Sequence, residues 1–426
     1  MRHAAAVVIF LLLSVFVSSG SKVFANDHTY PIIEAEDLQD SERFSVRILP
    51  RIELMSGVLL LTYWRNTMGP SRGGNSYTSE MMALLSEHRD HPAVGTAQDL
   101  IDRGFTYQIP MVFALHLGDL PGLATDHIPT YIGDRVGGGN RLRQFAGDLK
   151  DLAGASGFAS FMNAQSETLQ SSLEATIEGY RPKRIANWLE GFYGYGADGY
   201  HVLLAPAAFP PGGYGARRAD SDGRWHLYCV TRAADSGSEN PEFPRGEELE
   251  KLVIHEWGHS LSDPAVYSNP RLVEDLYDHY EPVKATMVDQ HYSNPDLFVA
   301  EQVLRGVDAL ARRKLYGEAE YREFVIAMNS RGFYLTEMVA EELIIYTKNR
   351  HVYSTFEEFV PILLSRMANE PVGSRPPRIH PSLWLPLLLG SVAILGVLWW
   401  LTVGIRRRQN QIEMMEDFED PNDAEY

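Results

Sequence analysis

Cysteine is nearly absent from this sequence, because Cys229 is the only one in 426 residues. An internal disulfide framework is therefore excluded, although such frameworks are common in exported proteins. We expect stability to come from a packed core and from any bound metal. Cys229 itself is predicted to be a small buried side chain.

An excess of basic charge is also absent. The chain has 38 lysines and arginines against 56 aspartates and glutamates, a net charge of −18, and no basic stripe stands out. This composition argues against nucleic-acid binding, which depends on neutralising phosphates. No internal repeat is visible. The roughly 345 residues between the two chain ends suffice for one large domain or for two packed ones.

Long apolar runs are confined to the two ends. Near the N-terminus, Arg2 precedes a 14-residue run, 4–17, that is apolar except for Ser14, and Val23-Phe24-Ala25 matches a cleavage site. A basic residue, an apolar run and a small-residue site in this order are typical of an export signal. Residues 1–25 are therefore predicted to be a signal peptide outside the fold.

The second apolar run, Leu383 to Val403, contains 21 residues without a charge and follows a proline-rich linker, 369–381. At about 1.5 Å per residue, a helix of this length spans the hydrocarbon core of a bilayer. We therefore predict a transmembrane helix over 382–404. The alternative is a buried core helix, and the length of the run and its position near the chain end argue against it.

Residues around this run predict its orientation. Trp384 at one end and Trp399-Trp400 at the other match interfacial aromatic belts, and Arg406-Arg407-Arg408 marks the cytoplasmic side. We expect a single-pass membrane protein whose ectodomain, 26–368, lies outside the cytoplasm, in the periplasm or at the cell surface. An acidic tail, 405–426, would then lie in the cytoplasm.

Between these ends the patterning predicts an α+β fold that is mainly helical. A short strand is expected at Phe44–Ile48, and helices dominate from there to about residue 192. Two β-type runs, Tyr200 to Leu204 and Trp225 to Thr231, flank a loop rich in Pro, Gly and Arg and form the expected β ribbon, 194–232. A second helical part, 245–368, follows.

The most informative motif lies at the start of that second helical part. His255-Glu256-Trp257-Gly258-His259 spells HExxH. Residues four apart share one face of a helix, so both imidazoles can hold one zinc ion. A carboxylate beside a metal-bound water can take its proton, because zinc lowers the pKa of that water to about 7. The motif predicts a hydrolytic site with Glu256 as the base.

The preceding residues predict that the motif lies on a helix. Glu247 and Glu248 suit a first helical turn, and apolar residues recur at helical spacing up to Trp257. The alternative is an ordinary amphipathic helix with two histidines, since a random chain of this composition shows HExxH roughly once in thirty. The helical context favours the zinc site.

Catalytic zinc usually takes three protein ligands, so a third is needed. The metzincin pattern, HExxHxxGxxH, is excluded because Ser262 and Ala265 replace its glycine and third histidine. The favoured residue is Glu301, which shares an apolar helical face with Leu297 and Leu304. Alternatively, Glu301 forms an exposed i, i+4 ion pair with Arg305.

Rival third ligands remain open. Glu337 and Glu341 lie on the helix that begins near Leu335, Glu274 follows the motif closely, and His291 offers a nitrogen.

With this ligand set the chain resembles the zincin metallopeptidases, and its glutamate makes it similar to the gluzincins over residues 247–305. That resemblance implies a zincin-like core with His255, His259 and Glu301 as ligands of one Zn²⁺ per chain. It departs from the gluzincins at Arg305, where they place an acidic residue, and in the long spacing from His259 to Glu301. The chain also resembles a bacterial family of exported HExxH domains, through a segment like His91-Pro92-Ala93-Val94 and a Tyr/Gly-rich ribbon.

Together with the predicted signal peptide and membrane anchor, the resemblance implies a membrane-anchored extracytoplasmic zinc metallopeptidase acting on peptides or proteins near the membrane. A strand edge of the ribbon 200–231 would bind the substrate backbone. Possible oxyanion donors are Tyr292, Tyr334, His291 and His226. Two other functions remain open, a zinc amidohydrolase for a non-peptide or cell-wall amide, and a non-catalytic surface binding protein. A structural zinc site would need a fourth protein ligand and no catalytic carboxylate, which argues against the last.

Overall fold

A computed structural model describes residues 29–35, 38, 42–67, 75–125, 128–210 and 212–373. The predicted signal peptide, transmembrane helix, cytoplasmic tail and most of the linker lie outside these residues. None of the helices in the described part combines the length and the apolar character needed to cross a bilayer.

The described residues have an α+β fold that is mainly helical, as predicted, with one small mixed sheet. They divide into two compact units. The first contains the described residues up to Asn269 together with Tyr346–Pro361, and the second contains Pro270–Ile345 and the described residues from Ile362.

The strands all belong to the first unit. They are β1 (Ile33–Glu34), β2 (Phe44–Ile48), β3 (Gly199–Ala205), β4 (Gly213–Ala219) and β5 (Trp225–Arg232).

Helices of the first unit precede and follow β3–β5 along the chain. They are α1 (Pro50–Leu60), α2 (Trp64–Thr67), α3 (Ser76–Ser86), α4 (Pro92–Asp102), α5 (Ile109–His116), α6 (Thr130–Val136), α7 (Gly139–Ala155), α8 (Phe158–Ala164), α9 (Ser166–Ile177), α10 (Pro182–Tyr193) and α11 (Gly246–Tyr267). The remaining helices are α12 (Pro270–Glu274), α13 (Lys284–Asp289), α14 (Pro295–Leu315), α15 (Glu318–Ser330), α16 (Thr336–Lys348) and α17 (Phe356–Ala368), with 3-10 helices at Tyr277–His279 and Glu281–Val283.

The sheet has the strand order β1-β2-β3-β5-β4. Strand β3 pairs in parallel with both β2 and β5, and β4 pairs antiparallel with β5 at one edge. All seven residues of β3 are buried, as expected for a strand covered on both faces. The two runs predicted to form a ribbon are therefore parallel neighbours, connected through β4.

Strand β4 lies in the stretch that the sequence predicts as a loop. Its residues are Gly-Tyr-Gly-Ala-Arg-Arg-Ala, which lack both apolar alternation and β-branched side chains. Pairing with β5 therefore makes this segment a strand, although its local sequence does not favour one.

Helix α11 packs on β4 and β5 and is fixed at two places. Trp257 is fully buried, its Nε1 donates to the His201 carbonyl at 3.2 Å, and its ring lies 5.0 Å from that of Tyr200. Near the start of the helix, the fully buried Glu250 accepts from Arg181 Nε at 2.7 Å and Arg184 Nη1 at 3.2 Å. A buried carboxylate needs such partners, so these bonds tie α11 to the α10 segment.

Helices dominate from β2 to Tyr193, as predicted, and short breaks divide them. One break lies near Gln165, between α8 and α9, and another separates α1 from α2. In the second unit, α14 packs against α15, and a Cβ at Gly306 would lie 2.2 Å from Val339 Cγ1. Glycine therefore permits close packing of α14 on α16.

Candidate metal centre

The HExxH motif lies on α11, as its sequence context predicts. The buried face of this helix includes Leu249, Val253 and Trp257, which recur at helical spacing. His255 and His259 are half-buried, and their ring centroids are 4.7 Å apart. The helix continues beyond the motif, through Pro264 to Tyr267.

His255, His259 and Glu301 form a group that could hold a metal ion. One ligand atom from each residue lies within 4.8 Å of the other two. Of the residues that the structure describes, the predicted rivals Glu274, His291, Glu337 and Glu341 belong to no such group.

The donor set fits zinc. Two imidazoles and one carboxylate are the ligands of many catalytic zinc sites, and they leave one tetrahedral position for water or substrate. Ligand atoms of tetrahedral zinc are separated by about 3.4 Å, which lies within the 4.8 Å limit of this group. The donor types and their spacing are therefore compatible with one zinc ion.

Asp263 orients one of these histidines. Its Oδ2 lies 3.1 Å from His259 Nδ1, one helical turn away. A carboxylate at this position favours the tautomer with a proton on Nδ1, which leaves Nε2 with its lone pair for a metal. The sequence prediction missed Asp263, although its i, i+4 spacing from His259 is a readable signal.

Glu256 is 6% exposed and lies against the backbone of β4. A Cβ at Gly213 would lie 2.7 Å from Glu256 Oε1, and one at Gly215 would lie 2.3 Å from the Glu256 carbonyl oxygen. Gly215 therefore needs glycine for the strand to pass this close to the helix backbone, whereas a side chain at Gly213 would displace the Glu256 carboxylate. The sequence prediction missed these two glycines because it placed them in a loop.

The predicted ion pair of Glu301 is present, but it is buried. Arg305 Nη2 lies 3.0 Å from Glu301 Oε2, and the two side chains are 11% and 8% exposed. Arg305 also lies 3.4 Å from Asp308. The alternative interpretation, an exposed surface pair, is therefore wrong in its exposure and right in its partners.

A second pair of histidines lies in the sheet. His201 Nε2 is 2.8 Å from His226 Nδ1, Ser45 Oγ is 2.8 Å from His201 Nδ1, and His226 Nε2 is 3.4 Å from Asp220 Oδ2. His201 alternates along β3 with Tyr200, which faces α11, so this chain of bonds lies on the opposite face. His226 therefore does not point toward α11 as an oxyanion donor would.

One predicted oxyanion donor and two rival metal ligands lie in the second unit, where they make other contacts. The Tyr334 hydroxyl donates to the His279 carbonyl oxygen at 3.0 Å and lies 2.8 Å from the Nδ1 atom of the same histidine. Glu337 and Glu341 line a cavity of about 100 Å³.

Comparison with known proteins gives one result. Residues 45–365 match the model of DUF4932, described as a domain of unknown function. No curated protein and no solved structure matches the chain. Because the matched region covers more than half of the sequence, the chain belongs to the DUF4932 family.

Proposed function

We propose that this protein is a membrane-anchored extracytoplasmic zinc metallopeptidase that hydrolyses peptide bonds with Glu256 as general base. The observation that carries the proposal is the group of His255, His259 and Glu301, with Glu256 adjacent to the first histidine on the same helix. Two histidines, a ligand carboxylate and a separate carboxylate base are what this chemistry requires.

Bound zinc would acidify a water molecule and polarise the scissile carbonyl. Glu256 would take the proton of the attacking water and pass it to the leaving amine. Its 6% exposure supports this role, because the carboxylate lies in a mostly water-excluded position next to His255. The Trp257 hydrogen bond fixes the helix that carries Glu256, and Gly215 lets β4 lie against the backbone of that helix.

Neighbouring charges would orient the ligands. Asp263 would hold the His259 imidazole in the tautomer that presents Nε2. Arg305 would hold one oxygen of Glu301, and a carboxylate retains a second oxygen for ligation. An arginine beside the ligand glutamate is therefore compatible with a metal site.

Strand β4 supports a peptide substrate over a non-peptide amide. It is the terminal strand of the sheet, and it passes directly beside Glu256. An extended peptide could add to its outer edge as a further strand, so that main-chain hydrogen bonds hold the scissile bond in place. A small amide without an extended backbone would gain nothing from this edge.

The membrane anchor in this proposal rests on the apolar run 382–404. The linker before that run would limit the reach of the active site to some tens of ångströms from the bilayer. Carbonate washing of membranes, which releases proteins that do not span the bilayer, tests this part. We expect the full chain to remain in the membrane pellet, and its release would contradict the anchor.

The catalytic part is tested with the full chain in detergent, by elemental analysis after dialysis and by digestion of a peptide library. We expect one zinc per chain in the parent protein and in the control Glu274→Ala, and its loss in Glu301→Ala. Glu256→Gln should keep zinc while its cleavage rate falls by about 10²–10⁴-fold. A parent protein without zinc, or a Glu256→Gln variant as active as the parent, would refute the proposal.

A further inference from the structure

A cavity of about 170 Å³ lies beside α11 in the first unit. Its lining includes Arg217 from β4, Trp225 and Leu227 from β5, Ser260 from α11, Tyr195 and Glu357. Its walls therefore combine apolar side chains from the sheet and the helix with two hydroxyl groups, one basic group and one acidic group.

The cavity lies further along β4 than the two glycines that contact the HExxH motif. On the face of β4 toward α11, Gly213 lies against the Glu256 carboxylate, and Gly215 lies against the Glu256 carbonyl and His259 Cβ. Arg217 is the next residue on that face and the first with a side chain longer than hydrogen. Ser260 directly follows His259 on the helix. Alternate residues of a strand are about 7 Å apart, so the cavity lies about two residues beyond Gly215.

Arg217 stacks on an aromatic ring. Its guanidinium carbon lies 4.9 Å from the centroid of the Trp225 ring, and that tryptophan is 47% exposed. Stacking on an aromatic face leaves the edge N–H groups of a guanidinium directed outward, where they can bind a carboxylate in bidentate fashion. Within the described residues, no carboxylate lies at ion-pair distance from Arg217.

The other polar groups of the cavity define what it accepts. The Tyr195 hydroxyl donates a hydrogen bond to the Leu261 carbonyl at 2.9 Å. Burial raises the pKa of Tyr195, so the hydroxyl stays neutral. Glu357 is the acidic group of the lining, and it would repel an anion weakly from an exposed position. Arg217 is therefore the group that determines charge preference, and Glu357 moderates it.

We propose that this cavity is a substrate subsite for an acidic side chain, with Arg217 as its specificity residue. A peptide added to the edge of β4 would place every second side chain about 7 Å along the strand. The side chain about two residues from the scissile bond would then enter the cavity, where the guanidinium of Arg217 would bind its carboxylate. This inference rests on the proposed peptidase function.

The first test is cleavage-site profiling with the full chain and a peptide library. We expect enrichment of Asp and Glu about two residues from the scissile bond. In Arg217→Ala, the ratio of kcat/KM for an acidic peptide to that for its Gln counterpart should fall by about tenfold, as expected for loss of a charge-assisted pair. Glu357→Gln should raise the same ratio. Arg218→Ala is the matched control, because Arg218 donates to the Leu115 carbonyl on the opposite face of the sheet.

The second test measures binding without catalysis. In Glu256→Gln, titration with a Glu peptide and its Gln counterpart should quench tryptophan fluorescence at lower concentration for the Glu peptide. Trp225→Phe should remove that signal. If the parent enzyme cleaves nothing while Glu-selective binding persists, the subsite stands and the peptidase proposal fails. If cleavage occurs with no acidic preference, or if Arg217→Ala keeps the full preference, the subsite is refuted.

Discussion

Two pairs of histidines in the first unit have opposite surroundings. His255 and His259 lie one turn apart on α11, with ring centroids 4.7 Å apart and planes at 71°. His201 and His226 lie on the parallel strands β3 and β5, with centroids 5.1 Å apart and planes at 19°. The helical pair belongs to a group that could hold a metal, whereas the sheet pair bonds to itself at 2.8 Å.

The hydrogen bonds of the sheet pair form a chain in which each donor points from Ser45 toward Asp220. Partial desolvation raises the pKa of Asp220, but hydrogen bonds from Arg224 outweigh this effect and lower the pKa to about 2. Asp220 is therefore an ionised carboxylate. His226 Nε2 then donates to Asp220, His226 Nδ1 accepts from His201 Nε2, and His201 Nδ1 accepts from Ser45. All four ring nitrogens are used within the protein.

The comparison teaches that the partner of the second nitrogen determines what an imidazole can do. In His259 one nitrogen is oriented by Asp263, and the other belongs to the metal group. In His201 both nitrogens have protein partners, so the ring acts as a cross-strand link. Residue type and pairing alone do not distinguish the two.

The sharpest test of this comparison is zinc content. We expect His259→Ala to reduce zinc from one per chain to almost none, because two remaining ligands hold zinc poorly. His226→Ala should keep full zinc. Elemental analysis of both variants after dialysis decides this, and loss of zinc in His226→Ala would show that the two pairs are not separate.

The two carboxylates that accept from these pairs allow a second test. Asp263→Asn should lower zinc affinity by about 10–100-fold, the usual effect of losing a carboxylate behind a ligand histidine. Asp220→Asn should leave zinc affinity unchanged. Competition with a chelator of known affinity measures both. Equal effects would contradict an orienting role for Asp263.

Gly199 tests the packing of the sheet pair. A Cβ there would lie 2.2 Å from His226 Nδ1 and 2.7 Å from His201 Nε2. Gly199→Ala should therefore separate the rings and lower the free energy of unfolding by about 1–3 kcal/mol. Urea denaturation measures the loss. Gly191→Ala is the control, since nothing lies within 4 Å of that position, and a similar loss there would refute the explanation.

The sheet pair also predicts a dependence of stability on pH. Burial, together with His226 and Arg47, lowers the pKa of His201 to about 3, against about 6.5 in the unfolded chain. Below pH 6.5 the unfolded state binds a proton that the folded state does not, so stability is full above that pH and falls as pH decreases toward 3. The slope from this group is at most about 1.4 kcal/mol per pH unit.

Urea denaturation from pH 7 to pH 4 measures this slope. His201→Gln should reduce it, because glutamine cannot take up the proton. An unchanged slope in that variant would assign the pH dependence to other groups.

Sequence patterning predicted much of the fold but not the topology of the sheet. The helix over the motif and the runs at β3 and β5 are visible because local hydrophobic periodicity marks them. Strand β4 and the parallel pairing of β3 with β5 were not predicted. Their cause is pairing between segments distant along the chain, which leaves no periodic trace in Gly213–Ala219.

The sequence by itself determined the arrangement of His255, Glu256 and His259, because helical geometry relates residues four apart without help from the rest of the chain. Only the tertiary structure decided the group that includes Glu301, the glycine contacts of β4 with Glu256, and the mutual bonding of His201 and His226. The physical reason is distance along the chain, since contacts between remote segments depend on how whole elements pack and not on local backbone preference.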